Sequence, residues 1–228
     1  MKKPVIDYRE FRLSKLRQPQ FSHLLLLIAW PIYISLYFFL EQVSPLDECL
    51  TVHCALDDMI PFCEVFVIPY VCWFPLLAFT VLYFMFYDIE NFKGFHVYLI
   101  VLDVIALTIY SIIPTKVDFQ PEVLPNNIFG GIVRFLYAAD MNNNACPSMH
   151  VAFSIAVGSC WSKRSQTSIW VKLLIWGIAA MICLSTVFIK QHSVLDFFGA
   201  LPLCLVAEWA AYGKRYWIPK FKSKFAKA

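Results

Sequence analysis

Residues 146–150 read CPSMH and residues 185–196 read STVFIKQHSVLD, and each segment stands at one end of a long apolar stretch. Ionisable side chains at the edge of hydrocarbon are costly, and they usually serve a function. The two segments supply His150, His192 and Asp196. Phosphoryl transfer through a covalent intermediate needs a nucleophile, a group that orients it and an acid for the leaving group, so these three side chains are sufficient for it.

The composition of the chain is that of an integral membrane protein. Of its 228 residues, 60% are hydrophobic and 15% are charged, whereas a soluble domain carries about 25% charged residues. Runs of roughly 20 apolar residues can cross a bilayer. We expect an all-α membrane protein that forms a single domain over 1–228, with six transmembrane helices in one bundle. The six spans are expected at about 21–41, 64–87, 95–114, 147–162, 168–189 and 192–212.

The basic residues predict how the bundle is oriented. If six spans are counted, only Lys116, Arg134 and Lys190 of the 19 Lys and Arg residues lie on the side that carries His150 and His192. Cytoplasmic segments carry the excess of Lys and Arg, so both termini are expected in the cytoplasm. The segment 1–20 is then a basic cytoplasmic arm. The tail 213–228 alternates aromatic residues with lysines, which suits an interface with anionic lipid and does not indicate nucleic-acid binding.

Two loops are expected on the outer, non-cytoplasmic side. The first, about 42–63, is acidic and has no Lys or Arg; it is either a solvated loop or a lid over the site. A disulfide between Cys49 and Cys54 within it is left open. The second loop, 115–147, is the longest connection and leads directly into His150. By contrast, only residues 190–191 join the fifth and sixth spans, which predicts that these helices are antiparallel neighbours and that His192 opens the sixth helix.

The spacing of the outer residues suggests how they work together. His192 and Asp196 are four residues apart and would share a helix face, so that the carboxylate fixes the imidazole tautomer. Pro147 suits the first position of the fourth helix, whose N–H groups would then point at an anion. We expect no metal. The residues expected to bind a substrate phosphate are Ser148, Ser185, Lys190, Lys116 and Arg134.

The two segments resemble signatures of the type 2 phosphatidic acid phosphatase superfamily. Residues 147–150, Pro-Ser-Met-His, are similar to its second signature, Pro-Ser-Gly-His. Residues 185–196 are similar to its third, Ser-Arg-x5-His-x3-Asp, and the resemblance covers the last four spans. It implies that His192 is the nucleophile that becomes phosphohistidine and that Asp196 orients it. It also implies that His150 protonates the leaving group and then activates the acceptor.

The chain departs from the superfamily where arginines would bind phosphate. The first signature, Lys-x6-Arg-Pro, would follow the third span, and Gln120 stands at its Arg position. Thr186 replaces the Arg of the third signature, and Met149 replaces the Gly of the second. A His-His-Asp core without these arginines is similar to the branch that contains sphingomyelin and inositol phosphorylceramide synthases, which transfer a headgroup to an alcohol rather than to water.

The resemblance therefore implies a metal-independent lipid phosphate phosphatase that needs no cofactor and acts on the non-cytoplasmic face of the membrane. Its substrate would be a phospholipid, a sphingolipid or an isoprenyl phosphate. One alternative is a phospholipid headgroup phosphotransferase. A second is a catalytically silent membrane protein that binds lipid or acts as a scaffold.

Overall fold

The computed structural model describes residues 4–140 and 142–225, and these residues are predominantly helical. Two strands of two residues each, β1 (Leu50–Thr51) and β2 (Thr115–Lys116), pair in parallel. Short 3₁₀ segments occur at Tyr8–Glu10, Leu13–Lys15, Ser22–Ile28 and Glu64–Phe66, and a π-helical turn at Gly213–Trp217. The α-helices are α1 (Ala29–Val43), α2 (Ala55–Met59), α3 (Val67–Val71), α4 (Trp73–Tyr87), α5 (Ile89–Ile112), α6 (Ile128–Ala139), α7 (Met149–Lys163), α8 (Ile169–Phe188), α9 (Val194–Tyr212) and α10 (Ile218–Phe225).

The prediction of an all-α protein with several membrane-spanning helices is confirmed. Among the described residues, five stretches are long and apolar enough to cross a bilayer: Ser22–Val43, Glu64–Tyr87, Ile89–Ile112, Ile169–Phe188 and Val194–Lys220. The expected fourth span corresponds to α7, which has 15 residues. At 1.5 Å per residue α7 is about 22 Å long, shorter than the hydrocarbon core of about 30 Å.

Helix α7 is the centre of the bundle. It packs against α4, α5, α8 and α9, and most of its side chains are buried. Small residues along it, such as Ala152, Ala156 and Gly158, allow neighbouring helices to approach closely; the Gly158 Cα lies directly under the Trp176 ring of α8. The site segments are therefore carried by the best-packed part of the molecule.

Helices α8 and α9 are not the packed neighbours that their short connection predicts. Helix α8 packs mainly on α7 and α3, and α9 packs mainly on α5 and α7. An apolar groove lies between α8 and α9, lined by side chains of both, including Leu184 and Phe198. The physical reason is that α7, with its small side chains, takes the central position. Helices α8 and α9 therefore each pack more extensively against α7 than against one another.

The connection between α8 and α9 is a compact cap. The N–H groups of Gln191 and His192 both donate to the Thr186 carbonyl, at 3.0 and 3.1 Å, and Lys190 adopts a left-handed conformation with φ 55°. Helix α9 then begins at Val194, with Ser193 as its N-cap. His192, which was expected to begin the sixth span, therefore precedes α9, because the Ser193 side chain is the better N-cap.

Most residues of the loop 42–63 are exposed, as expected of a solvated loop, but one of its acids also braces α9. Asp57 of α2 is buried, and its carboxylate accepts hydrogen bonds from Ser193 Oγ (2.6 Å) and the Val194 N–H (2.8 Å). The same carboxylate accepts the Cys54 N–H at 2.8 Å. Cys49 and Cys54 do not form a disulfide, since all eight cysteines in the described part of the chain are free.

The second outer segment contains more regular structure than the single loop expected over 115–147. It includes β2 and α6, and its end is tied to the first span by Asn143, whose amide donates to the carbonyls of Glu41 (2.7 Å) and Ser44 (3.1 Å). Gln120 and Asn142 exchange two amide hydrogen bonds of 2.8 and 2.7 Å. These contacts hold the chain that leads into α7.

The opposite end of the bundle carries the arm and the tail. In the arm, Tyr8 donates its hydroxyl hydrogen to the Met85 carbonyl at 2.7 Å. Lys163 of α7 forms a largely buried ion pair with Glu208 of α9, at 2.6 Å. The tail expected over 213–228 continues α9 through the π-helical turn into α10; residues 1–3 and 226–228 lie outside the described residues.

Candidate active site

His192 is held by two acceptors on the same ring nitrogen. Its Nδ1 lies 3.0 Å from the Ala145 carbonyl and 3.1 Å from Asp196 Oδ2. A carbonyl oxygen can only accept, so a proton must be on Nδ1, and in the neutral imidazole Nε2 carries the free lone pair. His192 also lines the main cavity of the bundle. This is the tautomer that a nucleophilic histidine requires.

Asp196 joins the two sequence segments to each other. Its carboxylate is fully buried, and besides His192 it accepts the Ser193 N–H at 2.9 Å. Its main-chain carbonyl accepts the Ser148 N–H at 3.1 Å. The aspartate therefore orients His192 and also fixes the start of α7 beside the start of α9.

His150 occupies the first turn of α7. Pro147 is not the first helical residue as expected: it follows a cis peptide bond, and Ser148 is the N-cap, accepting the Val151 N–H on its hydroxyl. The imidazole of His150 stacks on Tyr70, with ring centroids 4.4 Å apart, and lies 4.5 Å from Trp73. The helix start and the aromatic wall together hold the ring in place.

The two imidazoles face each other across a short gap. Their ring centroids are 5.8 Å apart, and His150 Nε2 is buried with no hydrogen-bond partner among the described residues. A buried polar atom without a partner is uncommon in folded proteins, and this one is explained if a ligand completes it.

Both histidines line a cavity of about 760 Å³ between α1, α4 and α7. Its walls are aromatic and aliphatic, and Trp30, Tyr33, Tyr37 and Tyr110 form much of them. Four apolar side chains that line the cavity are also exposed on the surface of the bundle: Ile34, Phe38, Phe74 and Leu82. The cavity thus opens to the side of the bundle between the first and second spans.

Three of the residues expected to bind phosphate have other partners. Ser148 is the N-cap of α7 and is fully buried. Ser185 is also fully buried, and its hydroxyl donates back to the Ile182 carbonyl at 2.6 Å. The Lys190 ammonium donates to the carbonyls of Asp57 (2.6 Å) and Ile60 (2.5 Å). None of the three lines the cavity.

The other two expected cations lie apart from the histidines as well. Lys116 is in β2, and Arg134 is exposed on α6. Neither lines the cavity, and no Lys or Arg of the described residues does. The expectation that these cations bind phosphate beside the histidines does not fit the structure, because Lys116 and Arg134 lie on β2 and α6 outside the cavity lining and Lys190 is bonded to the loop 42–63.

Two polar residues of the cavity were missed from the sequence. Asp140, at the end of α6, and Asn144 both line it, and the Asp140 carboxylate interacts electrostatically with His192. Burial raises the pKa of Asp140 above its ordinary value, and His192 acts in the opposite direction. Both amide atoms of Asn144 are buried without a partner among the described residues. A signal was present, since Asp140 is the one acidic residue between Glu122 and Asp196.

A metal ion has no ready-made site. Among the described residues, no three His, Cys, Asp or Glu side chains converge as ligands. The chemistry that the geometry offers is a nucleophilic imidazole, a second imidazole across the gap and a carboxylate that orients the first.

Comparisons with protein-family models, with curated proteins and with solved structures gave no match for this chain.

Proposed function

We propose that this membrane protein cleaves a lipid phosphoester through a covalent intermediate on His192, without a metal. The observation that carries the proposal is the His192 tautomer: the Ala145 carbonyl and Asp196 both accept from Nδ1, which leaves Nε2 as a nucleophile facing the cavity. A positioned imidazole with an orienting carboxylate is the arrangement found in covalent catalysis. Resemblance of the two motifs to the type 2 phosphatidic acid phosphatase superfamily supports the same reaction.

The reaction would proceed in two steps. In the first, His192 Nε2 forms a bond to phosphorus while the bond from phosphorus to the lipid oxygen breaks, and His150 gives a proton to the leaving oxygen. In the second, His150 takes a proton from the acceptor, whose oxygen displaces His192. The two rings have to act on the same phosphoryl group, and their centroids are 5.8 Å apart.

The acceptor decides between two functions. With water the protein is a lipid phosphate phosphatase; with an alcohol it is a headgroup phosphotransferase. Transfer is favoured by the apolar walls of the cavity and by the absence of any lining Lys or Arg among the described residues, since a monoester dianion gains little there. From the distribution of basic residues we further propose that six segments cross the membrane and that the site faces the non-cytoplasmic side.

The test is trapping of the intermediate. Purified protein is incubated in EDTA with phosphatidic acid or with phosphatidylcholine, quenched, and analysed by peptide mass spectrometry. A phosphate adduct on His192 from the first lipid, or a phosphocholine adduct from the second, identifies the group that His192 takes up. The products formed with and without an added alcohol acceptor then distinguish the phosphatase from the transferase. Release of product should be lost in His192→Ala and in His150→Ala.

A matched control is His53→Ala. His53 is an outer-loop histidine that bonds to Asp58 at 2.8 Å and does not line the cavity, so this variant should retain full turnover. Full activity of His192→Ala, or a strict need for a divalent metal, would contradict the proposal. Absence of turnover with every lipid class would favour the silent, lipid-binding alternative.

A further inference from the structure

We propose that Tyr70 and Trp73 are positioning residues for His150, and that the faces of their rings stabilise its imidazolium form, which gives a proton to the leaving oxygen. The role in the reaction rests on the proposed function, whereas the effect on the charge of the imidazole depends on the ring contacts alone. The two rings would then support His150 as the Asp196 carboxylate supports His192.

Both rings lie against the imidazole of His150. The centroid of Tyr70 is 4.4 Å from that of His150, with an angle of 28° between the planes, and the centroid of Trp73 is 4.5 Å away, at 41°. Two rings this close to one imidazole must contact it from different sides, since they cannot occupy the same space. A cation within about 6 Å of an aromatic face is attracted by the ring quadrupole, most strongly by that of Trp. Tyr70 is buried, so water does not weaken its contact.

The other surroundings of His150 disfavour a positive charge. Its Nε2 is buried without a partner among the described residues, and a charge that leaves water without a partner is costly. The ring belongs to the first turn of α7, at the positive end of the helix dipole. His192, whose ring centroid is 5.8 Å away, also opposes a charge on His150. An imidazolium at this position therefore needs a stabilising contact.

The carboxylates near the cavity do not supply that contact. The histidine–carboxylate pairs of the described residues are those of His53 and His192, so His150 has none. Asp140 lines the same cavity, but it acts electrostatically on His192 and on Tyr70. The remaining hydroxyl-bearing rings of the lining carry no charge at neutral pH: Tyr33, Tyr37 and Tyr110. The aromatic faces of Tyr70 and Trp73 are the contacts that favour the charged form.

The test follows the charge of His150 directly. The full chain with isotope-labelled histidine is titrated by NMR in detergent micelles, and the His150 signal is identified as the one missing from His150→Gln. We expect Tyr70→Leu and Trp73→Leu each to move the midpoint of this titration to lower pH by about 0.5–1 pH unit, because a lost ring face leaves the imidazolium less stable. Tyr70→Phe keeps the ring and should keep the wild-type midpoint.

Turnover gives a second readout. His150 must be protonated in the first step, so kcat/KM for the lipid should fall as pH rises through the His150 midpoint. In the two leucine variants this fall should occur at lower pH by the same amount. The matched control is Phe66→Leu: Phe66 stacks on Phe188 with centroids 4.2 Å apart and does not line the cavity, so this variant should move neither midpoint.

The outcomes separate the charge effect from packing and from the reaction. Unchanged midpoints in a folded leucine variant, with activity lowered equally at every pH, would overturn the proposal, as would an equal shift in Phe66→Leu. Each leucine variant tests one ring separately, so either is sufficient if the other does not fold. An NMR shift without lipid turnover by the wild type would refute the proposed reaction and leave the effect on His150 standing. An NMR shift without a change in the pH dependence of turnover would refute the role of His150 as the acid.

Discussion

At the scale of single residues, the site is held together partly by hydrogen bonds to main-chain atoms. Ala145 supplies a carbonyl to His192, and Ser148 supplies an N–H to the carbonyl of Asp196. Neither hydrogen bond depends on the side chain of Ala145 or Ser148. These contacts therefore depend on the geometry of the backbone at residues 145 and 148.

Asp57 is the residue whose loss should most weaken the support of α9. Asp57→Asn replaces an anion that accepts from Ser193, Val194 and Cys54, and the new amide hydrogens cannot accept from these donors. We expect a loss of about 2 kcal/mol or more of stability, measured as thermal unfolding of purified protein in detergent. The neighbouring Asp58→Asn should change little, because Asp58 forms an exposed pair with His53.

The effect of Asp57 should also depend on pH. Burial acts to raise its pKa, but the hydrogen bonds from Ser193, Val194 and Cys54 outweigh burial and hold the pKa below its ordinary value. A carboxylate with a lowered folded-state pKa stabilises the fold fully above its unfolded pKa of about 3.9 and ceases to do so as pH falls through the folded value. The gap between wild type and Asp57→Asn should therefore be constant near neutral pH and shrink below about pH 4. A gap that widens in acid would contradict this account.

At the scale of elements, the contact between α7 and α8 determines where the site segments lie. A Cβ atom at Gly158 would come 2.7 Å from the Trp176 ring, and that ring donates its Nε1 hydrogen to Ser162 at 2.8 Å. Gly177 also lies on α8, and a Cβ atom added there would have no atom of the described residues within 4 Å. The two glycines form a matched pair in which only one is required by packing.

We therefore expect opposite effects from the two alanine substitutions. Gly158→Ala should destabilise the protein by about 1–3 kcal/mol, since the ring must move and give up its hydrogen bond. Gly177→Ala should be neutral or stabilise by up to about 1 kcal/mol through helix propensity. Thermal unfolding in detergent measures both. Equal stability of the two variants would show that α7 and α8 are not held by this contact.

At the scale of the whole molecule, the number of crossings decides the position of the termini. Five helices among the described residues are long enough to cross, and α7 is too short by itself. With six crossings the termini share a side; with five they are on opposite sides. If α7 is a sixth crossing, the segments next to it or a locally thinner bilayer must make up the difference between its length and the thickness of the hydrocarbon core.

We expect the termini to share a side. In cells that express the protein with a tag at each end, both tags should be accessible to antibody only after permeabilisation, because 16 of the 19 Lys and Arg residues then lie in the cytoplasm. A tag inserted at the exposed Glu122–Val123 region should be accessible in intact cells. Accessibility of one terminus alone in intact cells would establish five crossings.

The sequence by itself determined the helical class, the positions of most spans to within a few residues and the pairing of His192 with Asp196. These features depend on hydropathy and on residues close together in the chain, so their physics is local. The four-residue spacing brought His192 and Asp196 into contact even though His192 lies outside the helix, because the Ser193 cap keeps the two side chains on one side.

Only the tertiary structure decided what surrounds the histidines. The tyrosines of the cavity come from α1 and α5, and Asp140 directly follows α6, so these groups are far apart in the chain. Lys190, although two residues from His192, turns to the first outer loop because its left-handed backbone directs the side chain toward the Asp57 carbonyl. Charge and shape in a cavity are sums over elements that meet only after folding, so the sequence could name the two histidines and the aspartate but not the electrostatic environment around them.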